Sequence, residues 1–339
     1  MNEIYSQPWV IGIDAGGTRT RALLMATGGG DGDSDSEAAA VLGRGAGGPG
    51  NALSVGRADL TAHLTDAVGQ ALRAVPEGVR GRVAAAYGGF AGAAPGLGDE
   101  RGHGLALSCV RDALAAHGIT GAAVGVGGDT EIALASAPGA PVDGLVLIAG
   151  TGAIATRLTG RRRAAAVDGH GWLLGDEGSG FWLGNRAVRA ALEALDRRGP
   201  WTGLVDKVAA HYLGAGAPAV GPLSDAGTRA DLAETVVAHA YTQLPVRLAL
   251  ISPLVVTAAG EGDEVALRLL DEAAGLLADS VRALRPHPGE PLVATGGLLG
   301  PGGPLLARVT DRLAALELRI FPVPDGAAGA AAIARRLLL

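Results

Sequence analysis

The chain carries two copies of one short design, and this repetition constrains its fold more than any other feature. Residues 10–24 read VIGIDAGGTRTRALL, and residues 144–158 read GLVLIAGTGAIATRL. Each copy has an apolar run, a turn of glycine and threonine, and a second run, which predicts a strand, a tight turn and a strand. Two such units predict duplicated domains that face a shared cleft.

The first turn suggests a site for nucleotide phosphate and Mg²⁺. Gly16 and Gly17 allow positive φ and leave backbone N–H groups bare, so that an anion can approach closely. Asp14, just before them, suits a hydrated divalent cation. Thr18, and Thr151 in the second copy, could bond phosphate oxygens. Because Gly-Gly is also a common hairpin turn, plain turn chemistry remains an alternative for each turn.

Length and charge narrow the class of protein. With 339 residues, of which 48% are hydrophobic, the chain is long enough for two domains with sizeable cores. The net charge of −6 comes without a basic block, so we expect no binding of nucleic acid or of a membrane surface. The single lysine, Lys207, lies in neither a Walker-A nor a protein-kinase context.

The single cysteine and the absence of targeting signals indicate in which cellular compartment the protein is found. Cys109 lies in an apolar helical pattern and is expected to be buried; alone it cannot form an internal disulfide or a CxxC pair. The sequence has no signal segment and no uninterrupted apolar run of about 18 residues. We therefore expect a soluble, cytoplasmic protein.

The predicted order of elements indicates an α/β protein. Three strands joined by hairpins precede helix, strand, helix and strand, which fits a sheet with an antiparallel edge and a parallel interior. The chain is largely helical from residue 179 until a strand at 291–295. Residues 27–37, rich in Gly, Asp and Ser, are expected to form a hairpin tip. Residues 45–50 match GxGxxG, but the next helical pattern begins only near Asp59, which argues against a dinucleotide fingerprint.

Asp129 is a candidate for chemistry because it follows a predicted buried strand at 122–127. Loops at the carboxyl ends of parallel strands are where ligands bind in open α/β sheets. Aspartate is also among the best helix N-cap residues, so capping is an equal alternative.

The densest polar cluster is His170–Gly180, which reads HGWLLGDEGSG. Asp176 could accept hydrogen bonds from two sugar hydroxyls. The alternative is a capped helix start, with Asp176 or Ser179 as the cap. His170 has no second histidine or cysteine at ligand spacing, so we expect no zinc site. Asn51 would by default form a turn.

With these residues in hand, the chain resembles the BadF/BadG/BcrA/BcrD-type ATPase family of the sugar kinase, heat-shock and actin superfamily, and within it N-acetylglucosamine kinases. The matching segments span nearly the whole chain: IGIDAGGTRTRALL, PGNALSVG, GVGGDTEIALASA, LVLIAGTGAIA, GWLLGDEGSGFWLG, LVATGGLLG and GAAGAAAIA. The resemblance implies two RNase H-like, actin-like ATPase domains with a central cleft. The first is residues 1–139 completed by the helix at 327–339, and the second is residues 140–326 with helical insertions.

The resemblance also implies a role for each matched position. Asp129 would be the catalytic base toward the sugar 6-hydroxyl, and Asp14 would lie near Mg²⁺, through water. The remaining implied roles are ATP phosphate binding at Gly16, Gly17, Thr18, Gly150, Thr151 and Gly152, adenosine binding at Gly296 and Gly297, and sugar binding at Asn51, Asp129, Gly171 and Asp176.

The implied activity is ATP-dependent phosphorylation of the 6-hydroxyl of N-acetylglucosamine, in a protein compatible with a homodimer. A kinase for free glucosamine is the alternative, and a non-catalytic sugar sensor is a further one. A dehydratase-activating ATPase would need cysteines for an iron–sulfur cluster, which Cys109 alone cannot supply. Animal relatives read Trp-Gly-His where this chain has His170-Gly171-Trp172. The resemblance therefore does not define the pocket for the sugar's 2-substituent.

Overall fold

The first half of the chain folds around a five-stranded sheet. The computed structural model describes residues 7–28, 40–91 and 101–339. The strands of the first sheet are β1 (Trp9–Ala15), β2 (Thr20–Ala26), β3 (Val41–Gly47), β4 (Val83–Phe90) and β5 (Ala123–Gly128). Their order is β3-β2-β1-β4-β5. The β1–β2 and β2–β3 pairs are antiparallel and the β1–β4 and β4–β5 pairs parallel, as the sequence predicts.

The second half repeats this topology. Its strands are β6 (Gly144–Ala149), β7 (Ala153–Thr159), β8 (Arg162–Asp168), β9 (Pro291–Thr295) and β10 (Arg319–Pro322). Read from its other end, the order β10-β9-β6-β7-β8 matches that of the first sheet, with β6 to β10 in the places of β1 to β5. The parallel and antiparallel pairs correspond as well. The predicted duplication and the α/β fold class are therefore confirmed.

Helices cover the outer faces of both sheets. The α-helices of the described residues are α1 (Arg57–Leu72), α2 (Arg101–Ala115), α3 (Asp129–Ala135), α4 (Gly180–Leu195), α5 (Leu204–Leu213), α6 (Ala226–Tyr241), α7 (Ser252–Gly260), α8 (Glu264–Ala283), α9 (Leu306–Leu313) and α10 (Ala327–Arg336). Short 3-10 helices span Glu77–Arg82, Gly214–Gly216, Pro245–Ile251 and Ala314–Leu316. One core lies between the first sheet and α1 and α2, and the largest core lies between the second sheet and α4 to α9.

Helices α3 and α10 pack together against the first sheet, and α3 also contacts the second sheet. In α3, Ile132 packs with α10 and the first sheet, whereas Leu134 packs with β6, β7 and β9 of the second sheet. The last helix, α10, packs against β1, where Gly12 permits close approach: a Cβ there would lie 2.1 Å from the carbonyl oxygen of Ala327. Helix α3 thereby links the carboxyl end of β5 to the second sheet.

The structure refines several predicted elements. The third of the predicted hairpin-joined strands begins at Val41 in the described residues, and most of the expected hairpin tip at 27–37 lies outside them. The helical region predicted from residue 179 is interrupted by the 3-10 helix Pro245–Ile251, because proline cannot donate the next helical hydrogen bond. The region after the GxGxxG match has no helix until Arg57.

Two further residues have structural roles. Cys109 is fully buried on α2, as predicted. Lys207 on α5 pairs with Glu261 at 2.8 Å, so its ammonium group already has a partner. Among the described residues, no helix combines the length and the apolar character needed to cross a membrane.

Candidate functional site

The first turn leaves a row of backbone donors unused. The N–H of Gly16 donates to the carbonyl of Arg19 at 3.0 Å and closes the β1–β2 hairpin. In the described part of the chain, the N–H groups of Gly17, Thr18 and Arg19 find no acceptor. Neither Gly16 nor Gly17 adopts positive φ, so the expected use of glycine for left-handed backbone is wrong. Glycine serves here by leaving space, since a Cβ at Gly17 would have no neighbour within 4 Å.

The second turn has the same form but is attached to a helix. The N–H of Gly150 donates to the carbonyl of Gly152 at 2.9 Å. The carbonyls of Gly150 and Thr151 accept from the N–H groups of Gly180 and Phe181, at 2.8 and 3.0 Å. The start of α4 is thus bonded to this turn, and the first two N–H groups of the helix are occupied by the turn carbonyls. The N–H groups of Thr151 and Gly152 donate to no acceptor among the described residues.

Gly296 and Gly297 lie directly beside the second turn. They follow β9, which is parallel to β6. Gly296 has a φ of +95°, and a Cβ there would lie 2.3 Å from the carbonyl oxygen of Ala149, so only glycine fits. Gly297 is exposed with open space around it. The pair therefore has the open surface expected of a nucleoside contact, and adenosine binding remains a prediction.

Asp14 is half-buried and joined to the start of the last helix. Its Oδ2 accepts a hydrogen bond from the N–H of Gly326 at 2.8 Å, whereas its Oδ1 accepts none in the described part of the chain. Burial raises the pKa of the Asp14 carboxyl, Asp325 adds to the rise, and the Gly326 N–H and Arg21 oppose it. One oxygen therefore remains available to a cation or its water shell.

Asp129 is the first residue of α3, and Gly128 is the N-cap, so the capping alternative is wrong. Its Oδ1 accepts from the N–H of Thr130 at 2.8 Å, and its Oδ2 is unbonded among the described residues. Burial raises the pKa of Asp129 to about 6; the negative charge of Asp14 contributes, and backbone N–H groups and Arg163 act in the opposite direction.

The strand register brings Asp14 and Asp129 to the same edge of the first sheet. Asp14 pairs with Gly89 of β4, and Gly89 pairs with Gly127 of β5. Asp129 follows two residues later, and the glycine between the strands places no side chain there. Two carboxylates at one sheet edge repel each other, which favours a cation or a proton nearby.

Asn51 lies next to the first turn. The N–H of Gly50 donates to the carbonyl of Gly16 at 2.8 Å, and the N–H of Ala52 donates to the carbonyl of Ala91 at 3.1 Å. The Asn51 Oδ1 accepts from the N–H of Leu53 at 2.8 Å. The default turn role is therefore confirmed for the oxygen, and the amide NH₂ donates to no acceptor among the described residues, which leaves it available to a ligand.

The loop at 170–179 lies at the same edge of the second sheet, next to the second turn. The Oδ1 of Asp176 accepts from the N–H of Ala153 at 3.2 Å. Burial raises the pKa of Asp176, and the Asp168 charge adds to the rise. Ser179 is the α4 cap, since its Oγ accepts from the N–H of Trp182 at 3.2 Å. Of the two predicted caps, Ser179 is confirmed and Asp176 bonds the turn instead.

Sequence reasoning missed Asp168, which holds this loop in place. Its two carboxylate oxygens accept from the N–H groups of Asp176 and Glu177, each at 2.7 Å. Gly171, a predicted sugar contact, has a φ of +82° and accepts from the N–H of Gly175 at 2.9 Å. The only local signal for Asp168 was its place at the end of a predicted strand.

A second missed group lies beside Asp129. The hydroxyl of Tyr87 donates to Glu131 at 3.2 Å, and burial raises the pKa of Glu131. Arg161, from the β7–β8 turn, lowers that pKa in part. This cluster joins α3 to both sheets, and no local pattern in the sequence could have brought its members together.

The chain belongs to the BadF/BadG/BcrA/BcrD ATPase family, whose model matches residues 11–334. It is 32% identical over 177 residues to an N-acetylmuramic acid/N-acetylglucosamine kinase of Clostridium acetobutylicum, a match that covers 52% of this chain and 53% of the relative. It is also 32% identical over 178 residues to an N-acetyl-D-glucosamine kinase of Dictyostelium discoideum, covering 50% and 51%. The chain thus spans about half the length of the curated relatives it matches.

A solved structure extends the similarity to nearly the full length. The structure of a proposed N-acetylglucosamine kinase from Chromobacterium violaceum superposes with a TM-score of 0.68 at 25% identity, covering 97% of this chain and 99% of that one. Both sheets of the described fold therefore have counterparts in a related protein.

Proposed function

We propose that this family member is an ATP-dependent kinase that phosphorylates the 6-hydroxyl of N-acetylglucosamine. The observation that carries the proposal is the pair of turns with unused N–H donors on equivalent edges of two related sheets, with Asp129 at one of those edges. The similarity to N-acetylglucosamine kinases supports the substrate class.

Phosphate binding would rest on backbone groups. The free N–H groups of Gly17 and Thr18 would hold the terminal phosphates of ATP, and those of Thr151 and Gly152 would hold them from the second sheet. Backbone donors are already oriented, so they stabilise developing charge without reorganisation. Gly296 and Gly297 would border the adenosine.

The carboxylate donors fit a hydrated Mg²⁺. Asp14 has a free oxygen at the first turn, and no cluster of three or more metal-ligating side chains occurs among the described residues. Mg²⁺ commonly takes one or two carboxylates, substrate phosphates and water, which is the donor set available here. When bound, Mg²⁺ would neutralise phosphate charge.

Asp129 would act on the sugar. It would orient the 6-hydroxyl and accept its proton through the free Oδ2, a role for which a pKa of about 6 is suitable because the group is mainly ionised at neutral pH. The NH₂ of Asn51, the Gly171 backbone and the Asp176 carboxylate would bind the sugar hydroxyls.

The same proposal includes a division into residues 1–139 with 327–339 and residues 140–326. Closure of these two units would exclude water and limit ATP hydrolysis without sugar. A homodimer and a cytoplasmic location remain predictions.

A coupled assay with a panel of sugars and phosphate donors tests the proposal. We expect turnover with ATP and N-acetylglucosamine, and a product phosphorylated at oxygen 6 by NMR. Turnover confined to glucosamine would replace the proposed substrate with the alternative one. Sugar binding without ATP turnover would replace the kinase with a sugar sensor.

A further inference from the structure

Helix α6 carries a buried arginine on the face that packs into the protein. Arg229 is 4% exposed, and its Nε is enclosed without a hydrogen-bond acceptor. In the part of the chain that the structure describes, its guanidinium group makes no hydrogen bond and no ion pair. We infer that Arg229 is the binding site of a small monovalent anion, such as chloride, inside the helical layer around α6.

The position of Arg229 on α6 explains its burial. It shares the buried stripe of the helix with Leu232 and Val236, at the spacing of one helical face. Leu232 and Val236 belong to the largest core, and α6 packs against α4, α5 and the 3-10 helix Pro245–Ile251. The arginine side chain therefore starts from a face that otherwise carries aliphatic residues into the core.

Helix α6 does not supply a counter-charge for this arginine. A helical arginine can pair with a carboxylate one turn away, and Asp225 lies at that distance before Arg229. Asp225 is instead the N-cap: its Oδ1 accepts from the N–H of Thr228 at 3.0 Å and its Oδ2 from the Thr228 hydroxyl at 2.6 Å. Leu232 and Ala233 occupy the facing positions one turn later. These facing positions, all of them described, therefore provide no free carboxylate.

The elements packed on α6 do not supply one either. The acidic residue of α4 is Glu193 and that of α5 is Asp206, and both are exposed. The 3-10 helix Pro245–Ile251 contains no acidic residue. Because none of these carboxylates pairs with Arg229, the negative charge that balances it has to come from outside the described residues.

The chemistry of an enclosed guanidinium group defines the class of ligand. An ionised group without a partner is costly to bury, and arginine cannot reduce that cost by losing its proton. A bound anion supplies the opposite charge and accepts the N–H groups. One guanidinium balances one negative charge, so a monovalent anion leaves the site neutral, whereas a phosphate dianion would leave a buried charge. The small exposed fraction of Arg229 favours a small anion.

Thermal unfolding of the full chain in sodium chloride and in sodium gluconate, at equal concentrations, tests the inference. Gluconate maintains the ionic strength but is too large for an enclosed site. An anion that binds only the folded state stabilises it. We therefore expect the difference in melting temperature between chloride and gluconate to be about 2 °C or more higher in the wild type than in Arg229→Met. Arg229→Lys, which keeps a cation, should retain part of the chloride effect.

Arg189→Met is the matched control, because Arg189 is an exposed arginine on α4, a helix that packs on α6. It should show the same chloride effect as the wild type. Equal chloride effects in the wild type and in a folded Arg229→Met protein would overturn the inference. A larger effect of phosphate than of chloride would overturn the assignment to a monovalent anion.

Crystals of the wild type soaked in sodium bromide provide a measurement that does not depend on the folding of any variant. We expect an anomalous difference peak in contact with the Arg229 guanidinium group. Ordered water alone at that place would overturn the inference. A bromide peak without a chloride effect on melting would indicate an adventitious ion only, which would also overturn it. Arg229 has no part in the proposed kinase site, so none of these outcomes bears on the proposed activity.

Discussion

The two glycine turns have equivalent places in two equivalent sheets, yet they are held in different ways. At the first turn, the N–H of Gly50 in the following loop donates to the carbonyl of Gly16, and Gly17 has open space around it. At the second, N–H groups of α4 donate to the carbonyls of Gly150 and Thr151, and the Asp176 carboxylate accepts from the N–H of Ala153. One topology thus supports an open turn with carboxylates nearby and a braced turn with a helix behind it.

The difference indicates a division of work within the proposed kinase. The first edge holds Asp14 and Asp129, whose buried charges suit proton transfer and cation binding. The second edge offers the N–H groups of Thr151 and Gly152, which have no acceptor among the described residues, on a turn that is fixed by the start of α4. Five experiments can break or sharpen this comparison, from the largest expected effect to the smallest.

Asp129→Asn should lower kcat by a factor of about 10² or more, because an amide cannot accept the hydroxyl proton. Nucleotide affinity, measured by calorimetry, should remain near that of the wild type if the turns bind ATP. Asp231→Asn on α6, which changes an exposed aspartate, is the matched control. Full activity of Asp129→Asn would remove the proposed role of the first edge.

The pH dependence of kcat/KM should show an acid limb near pH 6. Asp129 must be ionised to accept a proton, and its pKa is raised to about 6, so activity should fall by about ten-fold per pH unit below that value. A limb near pH 4 would show that Asp129 is not perturbed in the working enzyme.

The same raised pKa predicts an effect on stability. A carboxyl whose pKa is higher in the folded state adds stability below its unfolded pKa and loses it as pH rises through the folded value. Asp129→Asn should therefore raise the melting temperature relative to the wild type more at pH 8 than at pH 4.5. An equal difference at both pH values would contradict the sign.

Alanine substitutions for one glycine in each turn should change the free energy of unfolding by different amounts. A Cβ at Gly152 would lie 2.8 Å from the Asp176 Oδ2, so Gly152→Ala should lower the free energy of unfolding by roughly 1–3 kcal/mol. Gly17→Ala meets nothing and should change it by less than about 0.5 kcal/mol. Urea denaturation measures both, and equal losses would argue against different bracing.

Ser179→Ala should have the smallest effect, specific to the second edge. Loss of the α4 cap should lower the free energy of unfolding by about 1 kcal/mol and raise the KM for ATP, because α4 begins on the turn. Ser280→Ala is the control, since its Oγ bonds a carbonyl within α8. A shift in the KM for ATP with Ser280→Ala but not with Ser179→Ala would reverse the assignment.

Local sequence patterns were sufficient to predict the secondary-structure elements and the duplication. The strand Pro291–Thr295 has the predicted bounds, because an apolar run between proline and glycine has few other options. The correspondence of the two turns was visible because the two strand–turn–strand segments have similar sequences. Asp129 follows the carboxyl end of β5, as predicted, and its role in ligand binding stays a prediction.

Some predictions at the site changed because a side chain has several local options. Asp129, Asp176 and Ser179 all follow the pattern of an N-cap, and the sequence could not choose between capping and binding. The fold decided for Gly128 and Ser179 as caps and for Asp176 as a partner of Ala153. The Ser179 cap is a local contact with Trp182, whereas Asp176 bonds a residue 23 positions away, which no local pattern contains.

The sequence by itself determined two related strand–turn–strand units, a mixed sheet order and the residues that could carry chemistry. The tertiary structure alone decided that Gly326 donates to Asp14, that Asp168 holds the loop at 170–179, and that Tyr87 meets Glu131. Helical and strand periodicities report on neighbours a few residues apart. Contacts such as that of Asp14 with Gly326 depend on the packing of α10 against β1, which no local pattern contains.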